Sequence, residues 1–405
     1  MQLRMKSLQF NLNGAQSQLR AITRARRPTF ARPLDAAPLY TGGRSAAYNS
    51  TGKYGFTNSI NSQSRRFQQQ QTPKHIPLTR QSRTMHSTSP NKSQAQNTAQ
   101  PTHVVEASAA GEPTIHAVFE TKTGTWQYVV ADPSTSAAVI IDPVLDYDPA
   151  TQSITTTSAD SLLALVKGKG FMVEAILETH AHADHLTAAS YLQDRLAQDQ
   201  GKKPFIGIGK RIRQVQTLFG ERYLVPEKEY DDIFGVFFED DQEFKIGNLT
   251  VTAMHLPGHT PDHLGYKIGD NVFCGDSLFH ADIGTARCDF PGGSASNLYQ
   301  SGRRLLGLSD NVKIWTGHDY PPEGRSVPVP YMSVRDHKEQ NKHLKDGITE
   351  EEFVALRKER DAKLGEPRLL HQSLQVNIRA GQLPIPTAAG HRMLHLPLKL
   401  NGVTW

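Results

Sequence analysis

Cysteine is scarce in this chain of 405 residues, which contains two. So few cysteines exclude a disulfide scaffold and a cysteine-rich zinc module. Long apolar runs are missing as well, and none approaches the roughly 18 residues that a membrane-spanning helix needs. Acidic residues are almost absent from residues 1–105, which hold 15 Lys and Arg residues and one acid, Asp35. The rest of the chain carries a net charge of −9, so the overall +5 averages two unlike parts and does not indicate a nucleic-acid-binding core.

Residues 1–34 have the composition of a targeting segment. They carry six Arg residues, one Lys and no acid, with Leu3, Met5, Leu8 and Phe10 spaced among polar residues. This pattern predicts a mitochondrial transit peptide and a location in the matrix. A secretory signal would need a continuous apolar core of about 7–15 residues, which this segment lacks. An unstructured basic tail and a start codon upstream of the true one are the alternatives.

Residues 35–112 are predicted to be a disordered, polar and basic linker. Ser, Gln, Asn, Thr and Arg dominate this segment, which therefore cannot bury enough apolar surface to offset chain entropy. Residues 113–405 are predicted to be the catalytic domain with a C-terminal extension.

The patterning of residues 113–405 predicts an α/β protein. The predicted strands are 115–119, 126–130, 138–141, 173–177, 249–254, 264–268, 272–274 and 312–315. The predicted helices are 159–166, 186–196, 297–306 and 350–363, followed by an irregular Pro-rich end through Trp405. A run of strands followed by strands that alternate with helices indicates mixed sheets flanked by helices.

A histidine cluster directly follows the predicted strand that ends at Leu177. Its sequence is Thr179-His180-Ala181-His182-Ala183-Asp184-His185. Three imidazoles and one carboxylate spaced by small alanines suit zinc, iron or manganese, whereas a soft thiolate site would need cysteine. Packing alone does not explain this pattern, so it predicts a metal site.

Three later segments each place a candidate ligand just past a predicted strand. They are Pro257-Gly258-His259-Thr260, Cys274-Gly275-Asp276-Ser277 and Thr316-Gly317-His318-Asp319-Tyr320. One such residue alone is more often part of a turn, but all three together with the histidine cluster indicate a shared site. The predicted ligands, for one metal or two, are His180, His182, Asp184, His185, His259, Asp276 and His318.

These motifs, in this order, resemble the metallo-β-lactamase superfamily. Residues 282–293 (DIGTARCDFPGG) and 375–381 (QVNIRAG) are similar to the persulfide dioxygenases, also known as the sulfur dioxygenase or ethylmalonic encephalopathy protein family. The likeness is greatest to the bacterial β-lactamase-hydrolase-like branch, and it covers about residues 113–400. It implies an αββα sandwich of two mixed sheets flanked by helices.

The resemblance also implies a metal and its ligands. In the family one Fe(II) is bound by residues that match His180, His259 and Asp276, and two His with one carboxylate is the donor set of non-haem iron oxygenases. The remaining candidates, His182, Asp184, His185 and His318, would then orient the ligands and solvent. In binuclear relatives all seven residues hold metals, so zinc or a mixed binuclear site is the alternative.

Asp184, Arg287 and Tyr320 are the candidate catalytic residues. Arg287 matches a functionally important arginine of the family and would either bind a glutathione carboxylate or pin its loop to Asp289. Tyr320 would donate its hydroxyl group to substrate, or it is a structural tyrosine of a strand-end loop.

Five other residues near the motifs have no assigned role. His280, Cys274 and Cys288 are left open, although small buried thiols are usually packing residues. His255 and His263 flank the His259 turn and are interpreted as structural.

The leading hypothesis is a mitochondrial enzyme that oxidises glutathione persulfide with O2 and water to sulfite and glutathione. The first alternative is a glyoxalase II-type hydrolase of glutathione thioesters with a binuclear site. A nucleic-acid-binding protein and a catalytically inactive regulator are less favoured, because the basic segment looks removable and all seven ligands are present. No nucleic acid partner is expected, and a homodimer is a candidate assembly that the sequence does not decide.

Overall fold

The computed structural model describes residues 103–402, so the predicted transit peptide and residues 35–102 of the predicted linker lie outside the described residues. The folded part begins earlier than the expected boundary at residue 113. Strand β1 (His103–Val105) pairs antiparallel with β2, with His103 opposite Ala117. A strand of three residues is too short to show periodicity, which is why the sequence pattern placed the boundary ten residues too late.

Within residues 103–402 the strands form sheets of seven, six and three strands. The first sheet has the order β1-β2-β3-β4-β7-β9-β10, where the strands after β1 are β2 (Thr114–Glu120), β3 (Thr125–Ala131), β4 (Ala137–Ile141), β7 (Met172–Leu177), β9 (Phe205–Gly209) and β10 (Val236–Phe238). Its first four strands are antiparallel, whereas β4, β7, β9 and β10 run parallel. The sheet is therefore mixed, as the sequence predicts.

The second sheet runs in sequence order and is also mixed. Its strands are β11 (Gln242–Ile246), β12 (Leu249–His255), β13 (Leu264–Ile268), β14 (Asn271–Phe273), β15 (Lys313–Trp315) and β16 (Tyr331–Ser333). Only the β14–β15 pair of this sheet is parallel. A small sheet of β6 (Ser153–Thr155), β5 (Val144–Asp148) and β8 (Leu186–Thr187) lies beside the histidine cluster.

Seven α-helices accompany the sheets in the described part of the chain. They are α1 (Thr157–Lys169), α2 (Ala189–Gln200), α3 (Ile212–Tyr223), α4 (Ala295–Leu306), α5 (Val334–Gln340), α6 (Glu350–Asp361) and α7 (Leu370–Asn377). None of the helices in residues 103–402 is long and apolar enough to cross a membrane.

Three apolar clusters arrange these elements in four layers. The cluster between the two large sheets contains Trp126, Tyr128, Tyr266, Phe273 and Trp315, all buried. A second cluster packs helices α1, α2, α3 and α7 against the outer face of the first sheet, and a third packs α4 and α6 against the outer face of the second. The protein is thus an αββα sandwich, and the predicted fold class is confirmed.

Two segments to which the sequence assigned a structure have a different one. Leu186 and Thr187, predicted to begin a helix, form strand β8, and the helix begins at Ala189. The tail, predicted to be irregular, contains helix α7. One contact joins the two segments: the Thr187 amide donates to the side chain of Asn377 in α7 at 2.9 Å, and a local pattern does not show such a contact.

Candidate metal centre

The predicted ligands lie together at one end of the sandwich. Each lies just past a strand: His180, His182, Asp184 and His185 after β7, His259 after β12, Asp276 after β14 and His318 after β15. Main-chain hydrogen bonds join these loops, since the Leu264 amide donates to the Thr179 oxygen at 2.7 Å and the Gly317 amide to the Gly275 oxygen at 2.8 Å. Strand ends of both large sheets therefore converge on one site.

His180 is oriented by a chain of hydrogen bonds that starts at Asp142. The Asp142 carboxylate accepts from the amide of Thr179 at 2.7 Å and from its hydroxyl group at 2.8 Å. Because that hydroxyl group donates its proton to Asp142, it accepts from Nδ1–H of His180, 2.9 Å away. The lone pair of His180 is therefore on Nε2, which has no hydrogen-bond partner in the described structure.

His182 is held in the opposite sense by two buried carboxylates. Its Nε2 lies 3.1 Å from Asp142 and 3.2 Å from Glu178. The ring nitrogen that remains, Nδ1, is buried and has no partner within the described residues. The carboxylates thus present Nδ1 of His182 to the site.

The other three imidazoles each use one nitrogen to contact the protein. Nδ1 of His259 donates to the main-chain oxygen of Arg287 at 2.8 Å. Nδ1 of His185 faces the Leu186 oxygen at 3.3 Å, and Nδ1 of His318 faces the Thr125 hydroxyl group at 3.3 Å. In each case Nε2 is left for the site, which is how outer partners usually orient metal-binding histidines.

Glycine permits two of these approaches. A Cβ on Gly317 would lie 2.5 Å from Oδ1 of Asp276, so a side chain there would displace the carboxylate. Gly258 has φ +142°, and a Cβ on it would lie 2.3 Å from the Leu298 amide nitrogen. Close packing thus requires glycine before both His259 and His318, and at Gly258 the positive φ favours glycine as well.

The ligand atoms form two adjacent groups, and in each group they all lie within 4.8 Å of one another. The first group is the triad His180, His259 and Asp276; the second is His182, Asp184, His185 and His318. Asp276 lies between the groups, with Oδ2 3.6 Å from Nε2 of His259 and Oδ1 3.5 Å from Nε2 of His318.

The donor atoms of this site fit a metal ion. The following buried ligand atoms have no hydrogen-bond partner in the described structure: His180 Nε2, His182 Nδ1, His185 Nε2, His318 Nε2 and Asp276 Oδ1. Leaving a buried polar atom unpaired costs about 1–3 kcal/mol. His180 Nε2, His182 Nδ1 and His185 Nε2 have no ion-pair contact either, so the convergence of these atoms calls for a bound group. Imidazole and carboxylate donors suit zinc or iron.

Burial keeps two of the imidazoles neutral, which is the form that binds metals. Burial, and then repulsion by the neighbouring imidazoles, lowers the pKa of His180 well below its usual value. Burial and the charge of His182 lower the pKa of His185 to about 3. Burial also lowers the pKa of His182, but Asp142 and Glu178 outweigh it and raise that pKa well above the usual value.

The profile of the metallo-beta-lactamase superfamily matches residues 121–318, which include every predicted ligand. The chain is 43% identical over 306 residues to a beta-lactamase hydrolase-like protein of Agrobacterium fabrum, covering 75% of this chain and 69% of that one. The chain belongs to the metallo-beta-lactamase superfamily. Its His and Asp donors form a metal-binding site, as expected for a metal-dependent enzyme of that superfamily.

The other similar proteins carry the names of two different enzymes. A glyoxylase B2 of Dictyostelium discoideum is 40% identical, covering 69% of this chain and 94% of that one. The mitochondrial persulfide dioxygenase ETHE1 of Bos taurus is 27% identical, covering 65% and 87%. The crystal structure of ETHE1 from Myxococcus xanthus superposes with a TM-score of 0.52 at 28% identity, covering 66% of this chain and 99% of that one.

Arg287 of this superfamily member pins its loop. Its Nε and Nη2 donate to the two carboxylate oxygens of Asp289, and its Nη1 donates to the Gly365 oxygen at 2.9 Å. Of the two roles considered from the sequence, these contacts correspond to the structural one. The main chain of Arg287 in addition orients His259, as described above.

Asp184 and Tyr320 both lie at His318. The Asp184 carboxylate is 3.1 Å from Nε2 of His318, and the Tyr320 ring stacks on the His318 ring with centroids 5.6 Å apart. Tyr320 is 50% exposed, and a phenol is protonated at neutral pH. The phenol therefore keeps its proton and is able to donate a hydrogen bond.

The structure shows the surroundings of four of the residues to which the sequence assigned no role. His280 pairs with Asp282 at 2.8 Å. Burial raises the pKa of both the Cys274 and the Cys288 thiol to about 12, so neither provides a thiolate at neutral pH. His263, interpreted as structural, stacks on His180 with centroids 4.8 Å apart and accepts from the Asp276 amide at 3.0 Å.

Sequence reasoning missed three residues that hold the site together, namely Asp142, Glu178 and Asn377. Asp142 had a usable indication, because it directly follows strand β4 as the predicted ligands follow their strands. Glu178 directly precedes the histidine cluster. Asn377 had no local indication beyond its place in the segment 375–381.

Proposed function

We propose that this protein is a persulfide dioxygenase, which converts glutathione persulfide, O2 and water to sulfite and glutathione. The metal would be one Fe(II) per chain, held by His180, His259 and Asp276. The observation that carries the proposal is this triad, whose two imidazoles and one carboxylate form a group separate from the other four donors. Two His and one carboxylate with open positions is the donor set of non-haem iron oxygenases.

Bound iron would supply the O2 chemistry, and the chain would supply position and polarity. His182 and His318 lie beside the triad and would orient solvent at the site. Tyr320 keeps its proton and stacks on His318, so its hydroxyl group would donate to the substrate. Asp184, 3.1 Å from His318, would hold that ring in place as a negative partner.

The names of relatives support the same reaction. A persulfide dioxygenase is among the proteins similar to this chain, and the crystal structure of a bacterial ETHE1 shares its fold at 28% identity. The loop that contains Arg287 supports the triad, because its main chain accepts a hydrogen bond from His259.

The test uses the full chain loaded with Fe(II) in the absence of air. We expect O2 uptake on addition of glutathione persulfide, matched by an equal amount of sulfite. His180→Ala and Asp276→Ala should lower the rate at least a hundredfold and lower the bound iron with it. His391→Ala is the matched control, because this histidine is exposed and distant from the triad in sequence. Iron retention without sulfite formation would contradict the proposal.

A binuclear thioester hydrolase is the second candidate. It is favoured by the second group, His182, Asp184, His185 and His318, which gives this chain enough donors for two metals. The 40% identity to a glyoxylase B2 points the same way. Two metals per chain, with hydrolysis of a glutathione thioester and no O2 uptake, would establish this candidate instead.

We also propose that the reaction takes place in the mitochondrial matrix. The support is the Arg-rich, acid-free composition of residues 1–34. Import of the full chain into isolated mitochondria, compared with a chain in which the six Arg residues of this segment are replaced by Gln, tests it. Equal import of both chains would contradict the matrix location.

A further inference from the structure

We propose that Arg222 and Glu366 form a subsite for the zwitterionic γ-glutamyl end of the thiol substrate, an inference that rests on the proposed function. A cavity of about 280 Å³ opens beside His259 of the iron triad and is lined at other points by both residues. A substrate with its sulfur at the metal would therefore extend into this cavity.

The walls of this cavity are mostly apolar, with few charged groups. Phe290, Leu364 and Leu370 line it together with Ala183 and two prolines. Such a pocket accommodates the uncharged part of a small peptide, and its few charged side chains decide which end groups bind.

Arg287 also lines the cavity, but its guanidinium group is already engaged. Asp289 accepts from two of its nitrogens and the Gly365 oxygen from the third. Asp289 also neutralises the positive charge of Arg287. The positive charge available for a substrate carboxylate must therefore come from another residue.

Arg222 meets this requirement. It is exposed in the last turn of α3, and none of the ion pairs found among residues 103–402 includes it. Its polar neighbours are the Tyr223 hydroxyl group and the Glu366 carboxylate. Its guanidinium carbon lies 4.7 Å above the Phe219 ring, and that ring is 5.4 Å from the ring of Phe290 in the cavity wall. A guanidinium group that lies over an aromatic ring can still bind a carboxylate through two hydrogen bonds.

Glu366 supplies the complementary charge. Its carboxylate lines the same cavity, and its present partner, Lys399, is an exposed side chain 3.0 Å away that a ligand ammonium group can replace. An α-amino acid end group carries one carboxylate and one ammonium group, which match Arg222 and Glu366 respectively. In glutathione this zwitterion is the γ-glutamyl end, since the glycine end has a carboxylate alone.

The test measures binding and turnover separately. Isothermal titration of the full chain with glutathione, γ-glutamylcysteine and cysteinylglycine distinguishes the two ends of the tripeptide without any turnover. We expect Arg222→Gln to weaken the binding of the first two thiols about tenfold and to leave cysteinylglycine unchanged. Glu366→Gln should have the same selectivity. With glutathione persulfide, Arg222→Gln should raise KM about tenfold and leave kcat within twofold.

Arg213→Gln is the matched control. Arg213 lies on the same helix, is exposed and pairs with Asp231 and Asp232 away from the cavity lining, so its replacement should change neither affinity nor KM. Arg222→Lys keeps the charge without the planar fork and should give an intermediate affinity.

The outcomes separate this inference from the proposed function. Normal sulfite formation with unchanged KM and affinity in Arg222→Gln would overturn the subsite and leave the dioxygenase standing. Selective weakening of glutathione binding in a protein that forms no sulfite would support the subsite and overturn the dioxygenase. A wild-type chain that binds none of the three thiols would overturn the subsite.

Discussion

The side-chain amide of Asn377 donates a hydrogen bond to the main-chain oxygen of His182 at 2.7 Å, across 195 residues of sequence. The same amide donates to the His185 oxygen at 2.8 Å, and its carbonyl oxygen accepts from the Thr187 amide at 2.9 Å. One side chain of the last helix thus holds the loop that presents the histidine cluster. The C-terminal extension therefore supports the candidate metal centre.

Asn377→Ala should both destabilise the fold and loosen the metal site. The change leaves three buried main-chain groups without partners, which costs about 2–4 kcal/mol in the free energy of unfolding. Urea denaturation measures this loss, and elemental analysis should show less bound metal. Asn311→Ala removes a surface hydrogen bond to Asp270 and is the control, with an expected change of under about 0.5 kcal/mol. Equal effects of the two changes would contradict the role of Asn377.

His263→Ala should weaken metal binding without removing a ligand. His263 stacks on His180 and accepts from the Asp276 amide, so it supports two members of the triad. Loss of such supporting contacts typically lowers metal affinity about 10–100-fold. Competition with a chelator under nitrogen measures the affinity for Fe(II). His255→Ala is the control on the same turn, since this half-buried ring contacts the Pro261 oxygen at 3.3 Å, and it should stay within about threefold of wild type.

Arg325→Met should destabilise the loop that follows His318. Arg325 donates to both oxygens of buried Asp319 at 2.6 Å and also to Asp282. Its removal leaves the Asp319 carboxylate buried without its cation, which should cost about 2–4 kcal/mol in denaturant unfolding. Arg335→Met is the comparison: that arginine is exposed and 3.9 Å from Asp310, so its loss should cost under about 0.5 kcal/mol. A small effect at Arg325 would show that the pair is dispensable.

Asp132 should make stability depend on pH in the acid range. Burial raises the pKa of its carboxyl, but hydrogen bonds from Asn248, Ser134 and Thr135 outweigh it and lower the pKa to about 2. A depressed folded pKa stabilises the fold above the unfolded value of about 3.9, and this contribution is lost as the pH falls towards 2. Asp132→Asn should therefore cost about 1–2 kcal/mol at pH 7 and about half as much at pH 3.

Denaturant midpoints of wild type and Asp132→Asn at pH 7, 5, 4 and 3 check this expectation. The difference between the two proteins should be constant from pH 7 to 5 and should shrink below. Asp194→Asn, a change at an exposed position on α2, is the control and should cost under about 0.5 kcal/mol. A difference at Asp132 that grows towards low pH would have the wrong sign.

The seven predicted ligands could be recognised in the sequence because their motifs are local. Short segments after strands, such as the one from Thr179 to His185, indicate both their metal-donor residues and their position at the end of a strand. Strands and helices with several periods, such as β13 and α4, were predicted within two residues of their bounds. Short or partly exposed elements, such as β6 and β10, carry too few residues for a pattern to show.

The partners of the ligands were not predictable in the same way. Asp142 contacts His182 across 40 residues, and Thr125 faces His318 across 193. No local pattern records such a distant contact. The cavity beside His259 is similar, since its walls come from α3, the Arg287 loop and the segment between α6 and α7.

The sequence by itself determined the α/β class, the candidate donor residues of the metal centre and the superfamily, because each depends on residue types at short spacing. Only the tertiary structure decided which nitrogen of each imidazole faces the site, that Arg287 is bound by Asp289, and that Asn377 holds the histidine cluster. Those properties depend on hydrogen bonds between side chains that come together only when the two sheets and the last helix pack.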